Sequence, residues 1–510
     1  MRARELIRLE LAVFLAGAAL MSLEIVGARV LAPVFGSSVF VWGSIITVFL
    51  ASLAVGAALG GRLADARPRP SVLANLLAAS GVLTWVVFLA PVPVMRFFAD
   101  ASVPDRFRSL LAAIALFAAP CTLMGMITTF AVRLAAREIA TLGAAAGRLS
   151  AISTAGSIAG TFATTFFLIP DFPTLLILFG IGLLLVLSAW IVPAPFSAWR
   201  LGRDAALTGA AVVAHLLVPA AVRAPAPAGT VVYEKETAYH RIRVVDQGLR
   251  RVLYSDRFTQ GFAPVRPGLA LPPNYTDGLL LGLAFSQKAP RSVVVIGLGA
   301  GMIPSRLSAR SPEVSVTSIE IDPEIVSVAR RYFGFMPGPR DRVLVGDGRH
   351  ELEREVRQTD VIFVDAYFSD SVPFHLLTRE FYMLCRDRLS ADGVVAANFV
   401  GTMTGAGNAL FWGAVKTLAE VFPRVYVFSP ELSRGKRDFV GNAILVGSRS
   451  SDRLDRMTLA ERARVLSEKL DRPVIATWTS DLYDGEIRTA DVPILTDDYS
   501  PTDALQHFRR

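Results

Sequence analysis

The chain has 510 residues, 53% of them hydrophobic, and a mean hydropathy of +0.47, which excludes an ordinary soluble enzyme. Its 52 Lys and Arg against 44 Asp and Glu give a formal charge of +8. Much of that excess is arginine flanking apolar stretches, and no basic stripe interleaves with stacking aromatics, so no nucleic-acid partner is expected. The two cysteines, Cys121 and Cys385, write neither a disulfide framework nor a cysteine metal site.

The apolar excess is concentrated in residues 1–222, where seven stretches are long enough to cross a bilayer. They run from Leu11 to Val34, Val39 to Gly60, Ser71 to Met95, Ser109 to Val132, Leu149 to Ile169, Thr174 to Val192 and Ala205 to Val222. The first is too long for a cleavable signal peptide and runs on into further spans. Arg2, Arg4 and Arg8, then Arg62, Arg67 and Arg69, then Arg137 and Arg148, then Arg200 and Arg203 alternate with loops mostly free of positive charge, placing the N-terminus in the cytoplasm; the loop with Arg96, Arg106 and Arg108 dissents, with Asp100 and Asp105 beside them. Seven crossings would put the C-terminal half outside. The seventh stretch, short and carrying His215 and Pro219, is the weak one, so the side of the C-terminal half stays open.

Glu24 lies in the middle of the first span with Arg29 one and a half turns later. Charge at that depth is costly, and two readings stand: a functional membrane site, or a structural pair with Arg29 snorkelling to the interface. Gly56, Gly60, Gly61, Gly156 and Gly160 are small-residue spacings that let helices touch.

Residues 223–229, rich in proline, form a linker, and short β-rich runs in 230–290 predict a small antiparallel subdomain. From 291 to 510 apolar runs alternate with helical patterns, predicting a parallel doubly wound sheet with an antiparallel end. The run Val293 to Ile296 breaks into Gly297, Gly299 and Gly301, and Glu320 ends the next apolar run. That order reads as strand, tight turn, helix and strand, with a nucleotide held beyond the strand ends. Glu320, Asp322, Asp347 and Asp365 occupy those ends, Glu320 facing ribose hydroxyls, Asp347 the adenine amino group and Asp365 the reacting centre; each also suits a helix cap or turn. His350 and His375 lack metal-ligand spacing and read as surface or core residues, and no metal is expected. The polar segment from Thr496 to Pro501 is a lid, a docking segment or an ordinary loop.

Tyr275, Gly297-Leu298-Gly299-Ala300-Gly301, Glu320-Ile321-Asp322, Gly346-Asp347-Gly348, the run Asp360 to Ala366, and Leu376 to Tyr382 together resemble the spermidine synthases, the polyamine aminopropyltransferases. Ser22-Leu23-Glu24 and the run Leu31 to Ser38 resemble the membrane-fused bacterial branch. The resemblance implies a multi-pass α-helical membrane domain fused to an α/β Rossmann-like domain of the class I methyltransferase and spermidine synthase type, seated in a bacterial plasma membrane. It implies aminopropyl transfer from decarboxylated S-adenosylmethionine to an amine such as putrescine, releasing methylthioadenosine. Glu320 would then bind ribose, Asp347 and Gly348 adenine, Asp365 would deprotonate the amine, Tyr275 would line the acceptor pocket, and His240 stands where the family often has a glutamine near the nucleoside.

Ala300 and Phe368 stand where the family carries aspartates that contact amines, and Asp370 is the candidate substitute. Two alternatives keep the same nucleoside site: methyl transfer from S-adenosylmethionine, and a transporter or sensor whose soluble domain performs no chemistry. Expected partners are a small-molecule amine and the lipid bilayer, with homo-oligomerisation left open.

Overall fold

The computed structural model describes residues 3–35, 38–89, 91–99, 103, 105–136, 142–221, 228–256, 258–266, 272–367, 372–404, 408–430, 440–485, 489–500 and 502. The chain divides into two compact units, Met1–Ala226 and Pro227–Arg510. Most of the expected linker, and with it Phe368 and Asp370, lies outside the described residues.

The first unit is helical: α1 (Ala3–Phe35), α2 (Val39–Ala66), α3 (Pro70–Leu89), α4 (Pro91–Ala99), α5 (Asp105–Ala135), α6 (Leu142–Ala163, extended by a π turn over Thr164–Leu168), α7 (Thr174–Ile191) and α8 (Ala198–Ala221). Six of them, not seven, are long and apolar enough to cross a membrane among the described residues. The seventh expected stretch is helical, but it starts before Ala205 and its first turns carry charge. Arg200 donates to the carbonyl of Ala189 at 3.2 Å, and Arg203 pairs with Asp204 at 2.7 Å.

Glycine decides how closely the helices approach. A Cβ on Gly160 would lie 2.6 Å from Ala18 Cα, and one on Gly56 would lie 2.9 Å from Gly125 Cα, so α1 meets α6 and α2 meets α5 backbone to backbone. Ser22 closes the first contact, donating to the carbonyl of Gly160 at 3.3 Å and accepting from Thr164 Oγ1 at 2.8 Å. Gly61 differs: among the described residues nothing lies within 4 Å of its Cβ direction, so no close approach there calls for glycine. Glu24 and Arg29 are both half-buried on α1.

The second unit opens with an antiparallel sheet of β1 (Thr230–Glu236), β2 (Arg241–Gln247), β3 (Arg250–Ser255) and β4 (Phe258–Pro264), in that order. After α9 (Tyr275–Leu281) comes the larger sheet: β5 (Ser292–Ile296), α10 (Met302–Arg310), β6 (Ser315–Glu320), α11 (Pro323–Phe333), β7 (Arg342–Val345), α12 (Gly348–Glu355), β8 (Thr359–Val364), α13 (Arg379–Arg388), β9 (Leu389–Thr402), α14 (Ala409–Val421), β10 (Arg424–Phe428) and β11 (Val440–Ser448). Its order is β10-β11-β9-β8-β5-β6-β7. The run from β9 to β7 is parallel, and β11 and β10 complete the predicted antiparallel end. Val293 to Ile296 and Val361 to Val364 are buried on both faces, as central parallel strands require. The chain order reverses between β5 and β8, and a ligand crevice opens beyond such a switch point.

Candidate active site

Gly297 ends β5 with φ +91, a conformation that side chains resist, and an added Cβ would strike the carbonyl of Asp365. The tips of β5 and β8 therefore converge as closely as backbone allows. Gly297 N–H donates to Ile319 O at 2.8 Å, and Asp365 N–H to Ile296 O at 2.8 Å. Gly299 and Gly301 continue the turn with positive φ, and Gly301 leads into α10.

Glu320 at the tip of β6 is bound into this turn. Its Oε2 accepts the Leu298 N–H at 2.9 Å and its Oε1 accepts the Asp322 N–H at 3.1 Å. Burial pushes its carboxyl up, against the pull of those two backbone donors. His240 is buried nearby, its N–H donating to Thr237 Oγ1 at 3.1 Å, and its charge would favour the ionised Glu320.

Asp322 and Asp347 both make capping bonds. Asp322, 1% exposed, caps α11 through the Glu324 N–H at 2.9 Å and accepts Thr237 Oγ1 at 2.6 Å, fastening the β1–β2 turn to the large sheet. Asp347 caps α12, with Oδ1 accepting the N–H groups of Arg349 and His350 at 3.1 and 3.0 Å. Its Oδ2 lies 2.9 Å from His375 Nε2, and this bond holds its carboxyl down at about 2. His375 is thus a partner of the site, and its separation of 28 residues from Asp347 hid the pair from a reading by spacing. Gly348 follows at the start of α12, where an added Cβ would strike Ile296.

Asp365 lies at the tip of β8. Burial pushes it up to about 7, moderated by hydrogen bonds from Asn398 and from the Tyr275 hydroxyl. Asn398 Nδ2 donates to Oδ1 of Asp365 at 3.0 Å, and its own Oδ1 accepts Asn442 Nδ2 at 2.9 Å. Tyr367 fixes the same stretch of β9, donating to Asn398 O at 3.0 Å and accepting the Val400 N–H at 2.7 Å. Tyr275 begins α9, capped by Asn274, and burial with the Asp365 carboxyl pushes its hydroxyl well above its ordinary value. Asn398 and Asn442 are amides inside the neighbouring strands β9 and β11, and only the pairing of those strands brings them to Asp365.

The segment 496–500 is docked. Arg349 holds Asp497 through two bonds of 2.7 Å, Thr378 Oγ1 adds another at 2.7 Å, and Glu380 accepts the Asp497 N–H at 3.0 Å. Among the described residues no three His, Cys, Asp or Glu side chains gather as a metal site.

A Spermine/spermidine synthase domain model matches residues 276–430. A polyamine aminopropyltransferase of Vibrio vulnificus is 31% identical over 236 residues, covering 46% of this chain and 75% of that protein. The chain belongs to the polyamine aminopropyltransferase family. An eEF1A lysine and N-terminal methyltransferase of Bos taurus, 27% identical over 232 residues, covers 41% of this chain and 32% of its own length. A crystal structure of a probable spermidine synthase from Corynebacterium glutamicum aligns over 47% of this chain and 88% of its own, at 21% identity and a TM-score of 0.39. All the motif residues of this aminopropyltransferase from Gly297 to Asp365 fall inside the matched segment, whereas His240 and Tyr275 precede it.

Proposed function

We propose that the unit Pro227–Arg510 transfers an aminopropyl group from decarboxylated S-adenosylmethionine to a small amine such as putrescine, with Asp365 as the base. The observation that carries this reading is the Asp365 carboxyl, poised near neutrality between Tyr275 and Asn398 at the β5–β8 switch point. A base of that strength accepts a proton from an ammonium or from the nitrogen as it bonds. The freed nitrogen pair attacks the carbon next to sulfur, the C–S bond breaks with its electrons to sulfur, and neutral methylthioadenosine leaves. Such a reaction needs alignment more than activation.

Glu320 suits the ribose, because each carboxylate oxygen spends one lone pair on a backbone N–H and keeps another for a hydroxyl. In this reading Tyr275 both orients Asp365 and walls the amine pocket. On the same reading the apolar helices of the first unit, six among the described residues, anchor the enzyme in a bacterial plasma membrane.

A second reading, methyl transfer from S-adenosylmethionine, keeps the nucleoside contacts and is favoured by the likeness to the Bos taurus methyltransferase. The deciding experiment incubates the full-length protein with each sulfonium compound and a panel of amines, then identifies the product by mass. Methylthioadenosine supports aminopropyl transfer; adenosylhomocysteine supports methyl transfer.

A further inference from the structure

A cavity of about 290 Å³ in the second unit lies beside the glycine turn, reaching Ala300 and Gly301 on one side and α9 and α10 on the other. Apart from Asp277, its polar side chains carry hydrogen-bond donors. Asn274 Oδ1 accepts the Thr276 N–H at 2.8 Å as the cap of α9, which fixes the amide orientation and leaves Nδ2 as the unused end. That Nδ2 and the Ser305 hydroxyl are both buried without a hydrogen-bond partner among the described residues. Orphaned buried donors carry a cost that a ligand acceptor would relieve.

The charges agree. Three lining residues are Arg306, Arg310 and Arg472. Arg472 is neutralised by Asp277, with two bonds of 2.8 Å, and Arg310 pairs with Asp471. Arg306 is held by carbonyl oxygens, Leu470 at 2.9 Å and Asp471 at 3.3 Å. The Asp277 charge is already paired with Arg472, and its Oδ2 also accepts the Asn274 N–H at 3.0 Å. Burial and the neighbouring Arg472 press on the Arg306 charge, a cost that an anion would lift.

We infer that this cavity is an oxyanion site, taking a carboxylate- or phosphate-bearing small molecule on Arg306, Ser305 and Asn274. A polyamine would meet donors and positive charge there, so the acceptor amine does not occupy it. The same chemistry has two sources: the carboxylate of a sulfonium compound whose nucleoside sits on Glu320, or a free anion bound beside the glycine turn. The first rests on the second reading above, methyl transfer from S-adenosylmethionine.

The test is calorimetry on the full-length protein in detergent with inorganic phosphate, S-adenosylmethionine, its decarboxylated form and methylthioadenosine, comparing wild type with Arg306→Gln and Ser305→Ala. Loss of one charged donor weakens oxyanion binding by about tenfold, the scale of a charged hydrogen bond. Ser305→Ala gives a smaller loss and guards against misfolding of Arg306→Gln, while methylthioadenosine affinity stays unchanged in both. S-adenosylmethionine bound more tightly than its decarboxylated form, with the difference lost in Arg306→Gln, identifies the carboxylate as occupant. Phosphate binding lost in Arg306→Gln, with the two sulfonium compounds equal, identifies a free anion. Binding of all four unchanged by either substitution, or no oxyanion binding at all, overturns the inference. Failure of methylthioadenosine to bind counts against the nucleoside reading alone, because phosphate reports on the cavity directly.

Discussion

Asn398 donates its amide to Oδ1 of Asp365 at 3.0 Å, and Asn442 holds Asn398 in that orientation from the neighbouring strand. The bond favours the ionised acid and so restrains the rise that burial imposes. Asn398→Ala removes the restraint. The acidic limb of the pH–rate profile, expected near pH 7, should move upward by about one unit, the equivalent of one hydrogen bond to a charged group. An unmoved limb would mean that the limb belongs to another group.

Asp365 also taxes the fold. Its folded value of about 7 lies above the usual carboxylate range, so the cost of ionising it in place is absent below pH 4 and complete above pH 7. Asp365→Asn should therefore melt higher than wild type at pH 8, with the gap closing toward pH 4. Thermal melts across that range give the answer.

Asp347 has the opposite sign. Held down at about 2 by His375 and by the start of α12, it contributes stability above the unfolded value near 4 that fades as pH falls toward 2. Asp347→Ala should lose about 1 kcal/mol at pH 7 through the missing cap. Denaturant midpoints at several pH values should show the deficit shrinking under acid.

Glu320→Gln should weaken methylthioadenosine binding by about 1–3 kcal/mol, the range for losing a charged hydrogen-bond acceptor. Equal affinities by calorimetry would reduce Glu320 to a brace for the glycine turn, a role its bonds to Leu298 and Asp322 already fill.

The sheet and its switch point were legible because the glycines and the strand-end acids follow one another in chain order. The hydrophobic pattern also marked the helices, but hydropathy could not weigh the start of α8, where Arg200 is buried on the carbonyl of Ala189 and Asp204 is buried beside Arg203. Strand-end position says nothing of partners: Asp322 and Asp347 take backbone cap bonds, whereas Asp365 is held by the side chains of Asn398 and Tyr275. The partners of the site, Asn398 with Asp365 and His375 with Asp347, meet through sheet pairing and loop closure, which no local motif records.

The most direct test of the central claim is methylthioadenosine release, followed by mass spectrometry, from full-length wild type and Asp365→Asn given decarboxylated S-adenosylmethionine and putrescine. Wild type should release methylthioadenosine with formation of spermidine. Asp365→Asn should bind methylthioadenosine as well as wild type yet turn over about 10²–10⁴-fold more slowly, the contribution of a positioned general base. Equal turnover by the two proteins would contradict the assignment of Asp365.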